Sequence, residues 1–232
     1  ALGVSATAGS AGERVLAAAL AGAGMVGALG HLGRPIAAWK ALRNLRRSWL
    51  SREVALLSLY AALAVGAVLV PGLTPVAAVA GAAGVFASAR LYIVPGRPAW
   101  DTPLTIVRFF ATALALGPPL TGNVALGAAG GAVAVAATGL NWARLARRAD
   151  QAWRGAVRLE LRWFGPATAV RLTATAVGVG VGLAGGPAAV VLLALAVGEV
   201  LGRWLFFVTV VPLNMPGSFW RGTAGAKVGS HR

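Results

Sequence analysis

Apolar residues run along this chain in long stretches, and the breaks between them alternate in kind. A helix crossing a bilayer core needs about 20 mostly apolar residues, and about seven stretches qualify. They run roughly 13–31, 53–71, 74–95, 104–121, 123–142, 165–184 and 187–210. Every second break is short and uncharged: Pro71-Gly72-Leu73-Thr74, Gly122-Asn123 and Gly185-Gly186-Pro187. Such breaks predict tight antiparallel hairpins on one face, the bare side. The pattern predicts an all-α integral membrane bundle of about seven helices over residues 1–232 as a single domain, with 214–232 as a polar tail.

The other breaks are basic. Residues 31–52 carry Arg34, Lys40, Arg43, Arg46, Arg47 and Arg52, and 96–103 carry Arg97 and Asp101. Residues 143–164 carry Arg144, Arg147, Arg148, Arg154, Arg158 and Arg162, and the tail carries Arg221, Lys227 and Arg232. Seven spans put all of these on one face, which the positive-inside rule makes cytoplasmic in a prokaryotic inner membrane. Within 36–50, Ile36, Trp39, Leu42, Leu45 and Trp49 recur at steps of three and four opposite the basic residues. That spacing predicts an amphipathic helix in the headgroup layer, the alternative being a loop whose arginines only enforce topology. Residues 142–163 are expected to extend their span out of the membrane. Gly127 with Gly131, and Gly178 with Gly182, have the spacing that lets helices pack closely in lipid. No internal repeat is visible, which disfavours an inverted-repeat transporter.

Composition sharpens this picture. Hydrophobic residues make up 58% of the 232 and charged ones 12%, about half of what a soluble domain uses. The net charge of +15 would suggest nucleic acid in a soluble protein. Here the cations sit between apolar runs, so the expected partner is the bilayer and no nucleic acid. The chain has no cysteine and two histidines, His31 and His231. It is therefore expected to hold no iron–sulfur cluster, no haem clamped by paired histidines and no metal. It begins at Ala1 without signal-peptide features, and a missing upstream segment is expected.

Ionisable residues in or beside spans are the candidates for chemistry, because each is costly in lipid. They are His31, Glu53, Arg90, Arg108, Arg171, Glu199 and Arg203. Glu199 and Arg203 stand i, i+4 on one helix, as either a structural ion pair or a functional one. His31 and Glu53 flank one connection and so share a membrane boundary. Partial burial lowers an imidazole's pKa and raises a carboxylate's, bringing both into the range for proton transfer. The plainer alternatives are a histidine at a helix C-terminus and an acid at a helix N-terminus.

His31-Leu32-Gly33-Arg34-Pro35 followed by Ser48-Trp49-Leu50-Ser51-Arg52-Glu53 resembles the signature of the dimethyl sulfoxide reductase membrane-anchor (DmsC) family. Tyr92-Ile93-Val94-Pro95-Gly96-Arg97-Pro98-Ala99-Trp100 with Thr102-Pro103 agrees, as does Gly198-Glu199-Val200-Leu201-Gly202-Arg203 with Phe206-Phe207. The resemblance implies an anchor for a molybdopterin catalytic subunit and a four-cluster, ferredoxin-like iron–sulfur subunit, exchanging electrons with the menaquinone pool. It implies that the quinol-site histidine and glutamate are His31 and Glu53, and that the first of the family's usual eight spans is absent. On that reading His31 takes a proton as general base, and Glu53 orients the other hydroxyl or carries the second proton. Arg34 steadies Glu53 or a semiquinone anion, and Trp39, Trp49 and Trp100 either contact the ring or anchor the interface, with Trp100 taken into the quinone site. The alternatives are a quinone-reducing anchor of a catabolic dehydrogenase, a small transporter or channel lined by Arg171, Glu199 and Arg203, and a purely structural anchor.

Overall fold

In the computed structural model the described residues are 10–30, 35–148 and 151–213. They form eight α-helices and no strand: α1 Ala11–Gly30, α2 Trp49–Leu69, α3 Thr74–Leu91, α4 Pro103–Leu116, α5 Val124–Ala146, α6 Gln151–Trp163, α7 Gly165–Leu183 and α8 Ala188–Val208. Among the described residues six segments are long and apolar enough to cross a membrane: Trp49–Leu69, Pro71–Leu91, Pro103–Thr121, Val124–Ala146, Gly165–Leu183 and Ala188–Val208. The expected first span forms α1 but is not one of the six. Glu13 and Arg14 stand in its first turn, and its described part ends at Gly30.

The hairpin pairs α2–α3, α4–α5 and α7–α8 pack along their lengths. α1 leans on α2, α3 touches α4, and α4, α5, α7 and α8 close into one cluster. At the bare end the turns are as short as the sequence predicts. Pro71–Leu73 and Pro118–Thr121 are single 3₁₀ turns, and Gly122 and Gly185 take positive φ to reverse the chain.

Close helix approach rests on glycine, as the small-residue spacing predicts. A Cβ on Gly130 would strike the backbone of Ala115 in α4, and one on Gly178 would come 2.7 Å from Leu195 in α8. A Cβ on Gly131 would lie 2.6 Å from Leu195, and one on Gly182 2.8 Å from Ala128. Without a hydrophobic drive between helices in lipid, such contact supplies much of the association energy.

Two expectations at the basic end need correction. Residues 36–50 are not one amphipathic α-helix: Pro35–Asn44 is 3₁₀, a turn follows, and α2 starts at Trp49. Local hydrogen bonding sets that break. Ser48 caps α2 by accepting from the Ser51 N–H, while the Arg52 guanidinium donates to the carbonyls of Leu45 at 2.9 Å and Arg46 at 2.7 Å. The three-residue spacing of Trp39, Leu42 and Leu45 suits a 3₁₀ edge, and all three are exposed. Residues 142–163 do not continue one span either. α5 ends at Ala146, and α6 is a separate amphipathic helix that buries Ala156 and Glu160 against α5 and α7 and exposes Arg158, Arg162 and Trp163.

Candidate functional site: an apolar groove ending at a buried charge cluster

The connection 92–102 caps the basic end of the bundle and is tied down from two helices, α5 and α8. Trp100 Nε1 donates to the Phe206 carbonyl at 2.8 Å, Asn141 Nδ2 donates to that of Ala99 at 3.0 Å, and Arg144 donates to that of Pro98. Trp100 stacks on Phe206, 5.1 Å between centroids and 14° between planes. Tyr92 sits among Trp100, Phe109, Phe206 and Phe207, each centroid 5.4–5.6 Å away. Trp100 is therefore a support for Tyr92 and Phe206, its N–H spent on a protein carbonyl rather than on interfacial water.

Below this aromatic cap lies a cavity of about 340 Å³ lined by Leu57, Ser88, Tyr92, Phe109, Thr112, Arg203 and neighbours. It shares Leu57, Val85 and Ala113 with a second cavity of about 410 Å³, walled by α1, α2, α3 and α4 and almost entirely apolar. The two cavities adjoin at these three side chains, the first as the polar head and the second as the apolar body of the groove. Glu53 precedes Leu57 by one turn on the same face of α2, and its charge reaches Tyr92. Burial raises the Tyr92 phenol above its ordinary range, Glu53 raises it further, and Arg203 opposes both. The phenol thus stays protonated, a hydrogen-bond donor.

Behind the polar head is a network of five charged side chains, with Arg171, Glu160 and Glu199 buried and Arg108 and Arg203 half-buried. Arg171, 2% exposed, donates from Nη2 to Thr138 Oγ1 at 2.8 Å and places Nη1 3.8 Å from Glu160 Oε1. Thr112 Oγ1 donates to Glu199 Oε2 at 2.5 Å and accepts from Arg203 Nη2 at 3.2 Å. Glu199 and Arg203, expected to pair directly along α8, converge on this hydroxyl of α4. Arg203 also lies over the Phe109 ring at 3.9 Å, and Arg108 over Phe206 at 5.1 Å. Gly202 makes room, since a Cβ there would sit 2.7 Å from Arg171 Nε. At 1.5 Å per residue, Arg108, Arg171, Arg203 and Glu199 lie about 7–14 Å in from the basic ends of their helices. The charge occupies one half of the bundle's depth.

A family model for the DMSO reductase anchor subunit (DmsC) matches residues 11–135. The chain belongs to this family. No curated protein and no solved structure matches it. The DmsC match takes in the 31–35, 48–53 and 92–103 motifs; the 198–207 motif lies beyond it. Membership makes the chain the membrane anchor of a DMSO-reductase-like oxidoreductase complex, with other subunits beside it.

In this DmsC anchor the structure brings Glu53 and Trp100 to Tyr92, and gathers Arg171, Glu199 and Arg203 into the network behind it. His31 and Arg34 lie outside the described residues. Three participants were not singled out as site residues from sequence: Tyr92, Thr112 and Glu160. Tyr92 stands in the 92–103 motif, which carries its signal. Glu160 is hidden by its setting, a lone acid in a run of arginines that reads as a solvated basic face.

Proposed function

We propose that the chain binds menaquinol in this groove and passes its electrons to an iron–sulfur subunit docked on the basic face, which feeds a molybdopterin catalytic subunit. The observation that carries the reading is the groove itself. A polar head beside titratable groups, adjoining an apolar cavity, matches a ring with two hydroxyls and a long isoprenoid tail. Such ligand sites are mostly apolar with a few convergent polar groups. A transporter would hold its charged groups at midplane and open to both sides, whereas this cluster lies towards one end.

The residues divide the work by chemistry. Tyr92 donates a hydrogen bond to a ring oxygen, and Phe109 and Phe207 pack on its faces. Arg203 offers positive charge where the ring oxygen becomes electron-rich as its proton departs. His31 takes one proton as general base and Glu53 orients the ring from the mouth, with Arg34 holding Glu53 in place. Electrons leave to the partner's nearest cluster, because the chain holds no redox group able to carry them across the bilayer. The subunit itself is expected to carry no haem, metal or iron–sulfur cluster.

Two measurements test this. Purified complex reduces its terminal acceptor with a menaquinol analogue as donor, and a quinol-analogue inhibitor stops that reaction while sparing a dye that donates to the peripheral subunits. A complex that accepts electrons only from the dye would contradict the reading. For orientation, with the basic face cytoplasmic, a periplasm-active reporter fused after Gly122 gives full signal; a reporter active only in the cytoplasm overturns the topology.

A further inference from the structure

Glu199 and Glu160 are buried carboxylates that quinol binding alone does not use, and a small cavity lies beside Arg171. It has a volume of about 10 Å³ and is lined by Arg108, Thr112, Arg171, Glu199, Gly202 and Arg203. That is about the space one water needs, and a water stays there only with polar partners. Partners are at hand: Arg171 Nε and Nη1 are buried and find no hydrogen-bond partner among the described residues. Thr112 and Arg203 line both this cavity and the polar head of the groove, so they form the wall between them.

We propose that Thr112 and Glu199 begin a proton exit from the groove, that one water beside Arg171 carries the proton on, and that Glu160, which does not line this cavity but pairs with Arg171 Nη1 at 3.8 Å, stands at its outer end. The inference rests on the quinol reading above. In the first step a quinol hydroxyl gives its proton to Thr112 Oγ1 while Thr112 passes its own proton to Glu199 Oε2. Thr112 ends unchanged and Glu199 ends neutral. The ring's two electrons leave one at a time to the oxidised iron–sulfur centre of the partner subunit, which passes the first on before taking the second, and the other proton leaves by the mouth of the groove as in the quinol reading above. Glu199 then returns its proton through the water to the Glu160 carboxylate, which releases it to the headgroup layer. Glu160 suits that last position: it sits on amphipathic α6, its side chain is 10% exposed, and Trp142 Nε1 holds Oε2 at 3.0 Å. Arg171 remains protonated throughout and keeps both acids near one cation. With all five groups ionised, three guanidiniums face two carboxylates, so a proton taken up by Glu199 adds to an excess of positive charge and is passed on rather than held.

The test uses the assembled complex carrying Thr112→Val, Thr112→Ser, Glu199→Gln or Glu160→Gln, with two readouts: quinol-driven turnover, and binding of a quinol-analogue inhibitor followed by fluorescence quenching. Loss of a proton-transfer group slows turnover about a hundredfold, so Glu199→Gln and Thr112→Val fall by that order while the analogue still binds. Glu160→Gln falls about tenfold, since the water retains a slower escape. Thr112→Ser, which keeps the hydroxyl, returns to near the wild-type rate. Valine matches the shape of threonine, so a valine loss with serine rescue cannot come from packing. Glu199→Gln or Thr112→Val turning over at the wild-type rate with the analogue bound overturns the exit and leaves the quinol site standing. A wild-type complex that does not bind the analogue overturns both.

Discussion

Glu53→Gln is expected to slow quinol-driven turnover about a hundredfold while the complex assembles and a dye donating to the peripheral subunits still supports full activity. The substitution keeps size and shape and removes the charge. Glu53 stands one turn before Leu57, which lines both parts of the groove, and its carboxylate acts on the Tyr92 phenol in the polar head. A structural role would predict the opposite pattern, with lost assembly and loss of both activities together. His31→Gln is expected to behave in the same way, on the strength of the family signature that contains it. Both variants oxidising quinol at the wild-type rate would move the site away from this mouth.

The second large effect is on stability. Arg171→Met removes the guanidinium that stands 3.8 Å from Glu160 and bonds Thr138, leaving Glu160 facing an apolar side chain. Removing one partner of a buried pair costs about 3–5 kcal/mol, because the other charge is left uncompensated. The expected result is a sharp fall in thermal stability of the detergent-solubilised anchor and poor recovery of the complex. Adding Glu160→Gln to Arg171→Met should restore part of the loss, since the stranded charge is then gone. An Arg171→Met anchor as stable as the wild type would mean that the carboxylates do not depend on Arg171.

The difference between what the chain discloses and what it conceals has a physical basis. Span positions were legible because a helix crossing lipid is mostly apolar along its length, so α2 to α5, α7 and α8 fall within a few residues of their expected ranges. The break at 45–48 was not legible. Trp39, Leu42, Leu45 and Trp49 fit an α-helical face, and only the Arg52 guanidinium on two carbonyls shows why the chain turns there. α6 was concealed for a similar reason: its apolar face is short and its arginines continue the series begun at Arg144. In the site, the charged residues inside spans announced themselves, because an ionisable group there is rare, whereas Glu160 on α6 and Tyr92 did not. Nor did the partners of the charged residues. Thr112 is one of many small polar residues in apolar runs, and its place between Glu199 and Arg203 depends on how α4 meets α8. Arg171 was visible as a buried cation, but its bond to α5 and its pair on α6 are tertiary facts.

The central claim, that quinol occupies this groove, is tested most directly at Ala113, the small side chain shared by the polar head and the apolar body. Ala113→Phe fills the throat between them without touching a titratable group, and Ala113→Ser serves as a control of similar size. The measurement is a fluorescence-quench titration of the assembled complex with a quinol analogue. The account predicts that Ala113→Phe weakens binding by at least about tenfold, roughly 1.4 kcal/mol, while Ala113→Ser binds as the wild type does. An assembled Ala113→Phe complex that binds the analogue with unchanged affinity would contradict it.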